Sequence, residues 1–276
     1  MMTDMLWIRL PRWLLLLVWT AIVVIPLWLL MVISFKTPEE FAASPFGLPD
    51  QFRSDNFLMS WKHANLGLAL SNSLIVTGAS IAALVLFGSA AAYALARGRR
   101  AYHRVLYVYF LLGLMVPFQI AMIPLYKVFR YFDLINTLYG GTLAYVAVAL
   151  PFVVLLYYEF IRTLTPDLEE AARIDGCGRY RSFALIVFPL LKPITATVII
   201  TNCISIWNDF MVPLLFMQKS SVRTVPIAIY SFTGEYNNQW PLIFAGVVIS
   251  SVPLVLIFLL LQKQFIKGMV SGAVKG

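Results

Sequence analysis

The sequence predicts an all-α polytopic membrane protein with six transmembrane helices, and three observations predict it. Hydrophobic residues are 61% of the 276 and mean hydropathy is +0.82, while charged residues are only 12%; a soluble domain carries about a quarter. The apolar residues gather in six runs, at roughly 13–33, 70–96, 105–125, 138–160, 193–217 and 242–261. Each is long enough to cross about 30 Å of hydrocarbon as a helix. The basic residues also sort by segment. With the N-terminus inside, fourteen of the 21 Lys and Arg fall on inner segments and seven on outer ones of similar total length. The positive-inside rule then places both termini in the cytoplasm.

The first run, Trp13 to Ile33, is about twice a signal-peptide apolar core, so it reads as a retained anchor. The outer segment after it, 34–69, contains "TPEEFAASPFGLPD", rich in turn residues, and reads as an exposed loop. "RGRRAYHR" (97–104) is a short basic turn on the inner side. Proline interrupts five of the six runs, at Pro26, Pro117, Pro124, Pro151, Pro213 and Pro253. Hinges for a conformational cycle and ordinary tolerated kinks are both open for them. No repeat or soluble linker divides the chain, so residues 1–276 form a single transmembrane domain.

The segment of about 161–192, between the fourth and fifth runs, is charged and glycine-broken. "TPDLEEAARIDG" opens as a helix, with Thr165 as the cap and Pro166 in the first turn. Asp167, Glu169 and Glu170 lie near the positive end of its dipole. Leu168, Ala171, Ala172 and Asp175 share one face, and Gly176 ends the helix in a left-handed conformation. A second short helix carries Phe183, Ile186 and Val187, and Pro189 and Pro193 end it. Charged residues at mid-bilayer cost about 2.5–3.5 kcal/mol each, so this helix–turn–helix lies outside the hydrocarbon. It is either a module docking into a groove of another protein or a solvated connection.

The fifth run, "TATVIITNCISIWNDF", carries Thr201, Ser205 and Asn208 on one helical face, with Asn202 and Asp209 flanking it. Polar residues at this depth face a wet cavity or bond neighbouring helices, and both uses are open. Their hydroxyls, amides and carboxylate suit a sugar's hydroxyls. About 25 Å from Lys192, Asp209 lies near the outer surface. Gln119, beside Pro117, is a second polar candidate. Trp207, Phe210, Tyr236 and Trp240 either stack on sugar rings or form an outer aromatic belt.

Several classes are disfavoured. Cys177 and Cys203 imply no disulfide framework, His63 and His103 lie outside the runs, and no metal-ligand cluster is visible. No Gly-Lys dipeptide occurs, so no phosphate-binding P-loop exists in the chain. No catalytic constellation suggests a membrane hydrolase, and no deep acidic pair suggests a self-sufficient secondary transporter.

"EEAARIDGCGRYRSFALIVFPLLKP" (169–193) resembles the cytoplasmic signature loop of ABC-importer permeases, at Glu170, Ala171, Ala172, Asp175, Gly176, Ile186 and Pro189. "NSLIVTGASIAALVLFGSAAAYALAR", "MVPFQIAMIPLY", "WNDFMVPL" and the tail "GMVSGAVKG" are similar to the carbohydrate branch of these permeases, on the side of the maltose-type second subunit. The resemblance covers nearly the whole chain, with Cys177 and Glu159 as departures. It implies that the loop, Glu169 included, is a coupling helix docked on a cytoplasmic ATPase, with Ala172 against the partner's cleft. It also implies a second homologous permease, two ATPase subunits that hold ATP and Mg, and an extracytoplasmic sugar-binding protein. No cofactor is expected on this chain. The implied function is ATP-driven import of a carbohydrate, an oligosaccharide being the expected size, across a bacterial inner membrane by alternating access. Glycerol-3-phosphate and other small polar solutes are alternative cargoes.

The charge asymmetry sets an expected topology. A reporter fused after Gly276 is expected in the cytoplasm, and one inserted in 34–69 outside; reporters on the same side would reject six crossings.

Overall fold

The computed structural model describes residues 3–234 and 238–273, with side chains over 12–234 and 238–259. All regular structure in these residues is helical: α1 (Thr3–Ser34), α2 (Pro38–Ala43), α3 (Asp55–His63), α4 (Leu66–Ala96), α5 (Ala101–Met115), α6 (Phe118–Tyr131), α7 (Leu138–Thr163), α8 (Asp167–Ile174), α9 (Arg179–Ser182), α10 (Phe188–Leu190), α11 (Lys192–Asn208), α12 (Met211–Phe216), α13 (Val225–Tyr230) and α14 (Trp240–Ala273). A π turn, Phe183–Val187, joins α9 to α10.

Residues 12–34 of α1, α4, α7 and residues 240–259 of α14 are each apolar and long enough to span a membrane. The third and fifth apolar runs carry a bend or a break, which run length alone does not reveal. In the third, α5 and α6 meet at 106°. The cause is Pro117, which forces Val116 before it into extended backbone (φ −87°, ψ 111°). In the fifth, the helix stops at Asn208 and restarts at Met211, with Asp209 extended between them (ψ 135°). The segment Arg179–Leu190 meets α11 at 73°. Counting each bent pair as one span gives six. Of the prolines, Pro117 marks a break, whereas Pro124, Pro151 and Pro253 lie inside continuous helices.

Two compact units divide the chain: residues 1–67 with 228–252, and residues 68–227 with 253–276. In the first, the expected outer loop is ordered. Thr37 and Glu40 form a reciprocal capping box that starts α2, with Pro38 at its first turn. The buried Lys36 ammonium donates to the carbonyl oxygens of Ser44 (2.5 Å) and Pro45 (3.4 Å), and the Asn56 amide donates to those of Ser34 and Lys36. A buried cation thus organises a stretch that composition presents as a string of turns.

In the second unit α7 is the central helix. It packs against α5, α11 and α12 over a core that includes Val153, Val154, Tyr157, Val198, Phe216 and Met217. Helix α4 approaches it closely at Gly88, where a Cβ would stand 2.6 Å from the Val153 Cγ1. The Tyr157 hydroxyl, fully buried, donates to Thr195 Oγ1 at 3.0 Å and ties α11 to α7. The break after α11 is held the same way. Tyr145 donates to Asp209 Oδ2 (3.0 Å), which also accepts from the Val212 amide (2.9 Å) and so caps α12.

Candidate functional site

The charged segment of 161–192 folds as a helical hairpin within the second unit. Its first helix starts one residue later than expected: Pro166, not Thr165, is the N-cap, and its carbonyl accepts from the Glu169 and Glu170 amides. The end follows the expectation. Gly176 has φ +79°, the Cys177 amide donates to the Ala172 carbonyl (2.8 Å) and the Gly176 amide to that of Arg173 (3.0 Å). This is a Schellman closure, and its left-handed residue is where glycine carries no Cβ penalty. The second helix is longer than expected, from Arg179 through the π turn to Leu190. Pro189 lies within it and does not end it. In the π turn the Phe188 amide bonds the Phe183 carbonyl.

The phase of α8 shows in its burial. Glu169 and Ala172 are buried within this chain, at 6% and 7% exposure. Ala172 is thus largely covered by its own chain, on the side of α8 that carries Glu169. Leu168, Glu170, Ala171, Asp175, Gly176 and Pro189 are exposed, and Ile186 is half-buried. With Ile174 (88%), Tyr180 (90%) and Leu185 (67%), they give the hairpin an outward face of small and large apolar residues edged by acids.

Glu169 explains the phase. Its Oε1 accepts from Arg97 Nε at 2.7 Å and its Oε2 from the Tyr93 hydroxyl at 2.8 Å. Arg97 also donates to the Leu164 carbonyl (3.0 Å). From the second helix, Arg179 donates to the Ala94 carbonyl (3.3 Å) and lies 5.6 Å from the centre of the Tyr93 ring. The Phe183 ring sits 4.9 Å from that of Tyr93. Both arms of the hairpin are thus fastened to the last turn of α4. Removing one member of such a buried pair typically costs about 3–5 kcal/mol, because the other charge is left behind. Sequence reasoning missed this fastening, although Tyr93 and Arg97, four residues apart beside a basic turn, mark one helical face.

The polar face of α11 forms as expected in one respect. Thr201, Ser205 and Asn208 are all exposed along one side. The Thr201 hydroxyl donates to the Thr197 carbonyl (2.8 Å) and the Asn208 amide to that of Ile204 (2.9 Å), so both bend back on their own helix. The flanking pair turns inward. Asn202 is buried and donates to the Val198 carbonyl, and Asp209 is engaged by Tyr145 and Val212. Gln119 is exposed in the first turn of α6, next to the 106° break. Of the aromatic candidates, Trp207 is buried, Trp240 is 41% exposed against Phe41 and Phe244, and Tyr236 lies outside the described residues.

Apolar helices of spanning length, two bent pairs and a charged hairpin fastened to one helix end define a polytopic helical membrane protein. The chain belongs to the family described as binding-protein-dependent transport system inner membrane component, whose pattern matches residues 84–271. It is 39% identical over 253 residues to the melibiose/raffinose/stachyose import permease protein MelC of Bacillus subtilis, covering 91% of each chain. It is 38% identical to the diacetylchitobiose uptake system permease protein NgcG of Streptomyces coelicolor, covering 93% of this chain and 85% of that one. In fold it matches a chain of a bacterial ABC transporter involved in import of the acidic polysaccharide alginate. There the TM-score is 0.81 at 18% identity, over 94% of this chain and 96% of the other.

The Gly176 turn yields a direct expectation. A β-branched residue in the left-handed region is strained, at roughly 1–2 kcal/mol, while asparagine tolerates it. Gly176→Val is expected to raise the protease sensitivity of the hairpin in purified protein, and Gly176→Asn to leave it near wild type; equal behaviour of the two would refute a φ-dependent turn.

Proposed function

We propose that this chain is one of two permease subunits of an ATP-driven importer of a carbohydrate, of oligosaccharide size, in a bacterial inner membrane. Family membership and the relatives' sugar-import names support it. The observation that carries the working part is the outward face of the hairpin. An apolar face with Ile174 and Tyr180 almost fully exposed, on a segment too charged for lipid, suits burial against another protein. Glu170 and Ala171 lie on that face and match the family signature, so the docked partner in this reading is a cytoplasmic ATPase. With no P-loop of its own, the chain borrows ATP hydrolysis from two such subunits, which hold ATP and Mg.

The cargo path in this reading runs along the exposed side of α11. A polar stripe at membrane depth is costly against lipid, so Thr201, Ser205 and Asn208 face a wet pathway shared with the second permease. Gln119 at the α5–α6 break adds a further amide. These four groups are uncharged. That favours a neutral polyol over glycerol-3-phosphate, whose phosphate calls for cations. An extracytoplasmic binding protein delivers the sugar, closure of the ATPase pair moves the hairpin, and the helices reorient between outward and inward access.

One reconstitution tests both parts. Ile174→Asp is expected to lower capture of the ATPase about tenfold, with the chain still in the membrane. The Ser205→Leu/Asn208→Leu pair is expected to keep that capture and lose most sugar uptake. Wild-type capture by Ile174→Asp would remove the docking face, and wild-type uptake by the pair would leave the stripe as interhelical glue.

A further inference from the structure

Helix α4 has a bonded fixture at each end. At its last turn, Tyr93 and Arg97 hold Glu169 of α8, and the Ala94 carbonyl holds Arg179 of the second hairpin arm. Near its first turn, Asn72 and Ser73 are buried, at 3% and 2% exposure. The Asn72 amide donates to the carbonyl oxygens of Ser221 (3.1 Å) and Arg223 (3.0 Å), and Ser73 Oγ accepts from the Val225 amide (3.0 Å). Ser221 and Arg223 belong to the connection between α12 and α13, and Val225 is the first residue of α13. The helix between the fixtures has no proline and no break. From Asn72 to Arg97 it spans about 37 Å, at 1.5 Å per residue.

We propose that α4 is a transmission rod. Arg97 and Glu169 position its hairpin end and Asn72 its far end, so that displacement of the hairpin is delivered to the 221–225 segment at the opposite end of the helix. None of these residues lies on the outward face of the hairpin or the polar stripe of α11, so all act through others. Three features fit a device that must move as a unit. The hairpin end is fixed by a charged pair with both carboxylate oxygens occupied. The far end grips backbone carbonyls of that segment, which follow the main chain. The shaft is a single helix, stiff along its axis. The inference rests on the importer reading and adds to it the route by which the ATPase stroke reaches the far side.

The test uses the reconstituted complete complex and reads sugar molecules moved per ATP hydrolysed, together with ATPase capture. Glu169→Gln and Arg97→Lys each keep a hydrogen bond across the contact, and with it the rotation of α8, while loosening its hold; they and Asn72→Leu are each expected to capture the ATPase at wild-type yield, to hydrolyse ATP and to lower sugar per ATP at least fivefold. The exchange Arg97→Glu/Glu169→Arg is expected to recover a third or more of the wild-type ratio. The pair Glu169→Gln/Asn72→Leu is expected to be no worse than the poorer single variant, because two breaks in one rod count once. Multiplying losses in that pair would overturn the proposal, and so would wild-type ratios in the singles. Loss of capture in proportion to transport, with no recovery on exchange, would overturn it too by showing a merely structural pair. A wild-type complex that captures no ATPase or moves no sugar would sink the importer reading itself, and the rod with it.

Discussion

The ion pair between Arg97 and Glu169 sets the rotation of α8, and everything the hairpin presents follows from that rotation. In an α-helix, fixing one residue inward fixes those three and four positions away. With Glu169 turned in, Ala172 follows it, while Glu170, Ala171 and Ile174 must turn out. A carboxylate at 6% exposure would be untenable alone, and here each of its oxygens has a donor. The same pair brings the second arm within reach of the Tyr93 ring, so one polar contact orders two short helices that have little core of their own.

The solvent imposes the complementary constraint. In hydrocarbon every backbone donor and acceptor must be satisfied locally, so a broken span requires a substitute partner at the break. After α11 the substitute is Asp209, whose carboxylate caps the Val212 amide and receives the Tyr145 hydroxyl. At α5–α6 the break sits at Pro117, a residue without an amide to satisfy. Both breaks fall beside the polar groups assigned to the cargo path, Asn208 and Gln119. A continuous helix offers side chains alone, whereas a break adds backbone groups and a change of direction.

Charge placement shows an economy of the same kind. The acids of α8 divide by one residue: Glu169 is structural and Glu170 is outward. Two adjacent glutamates therefore serve different neighbours, one on this chain and one on the proposed ATPase. The arginines divide likewise, with Arg97 and Arg179 engaged in holding the hairpin while Arg99, Arg100 and Arg104 remain exposed in the neighbouring turn or at the start of α5.

The sequence by itself determined the apolar spans, the hairpin between the fourth and fifth, its Gly176 turn and the exposed row of Thr201, Ser205 and Asn208. Each depends on local quantities: run length against bilayer thickness, the conformational freedom of glycine, and the helical period. Tertiary structure alone decided which way α8 faces, since Glu169 and Glu170 are the same residue type one step apart and only Tyr93 and Arg97, more than seventy positions away in sequence, distinguish them. It also decided that Asn202 is buried and that Asp209 is engaged by Tyr145 of α7. It decided that the third run bends by 106°, because a proline in a membrane helix is compatible with both a kink and a break until its neighbours are placed. Periodicity fixes the relative phase of residues on a helix, but the absolute phase is set by what the helix packs against.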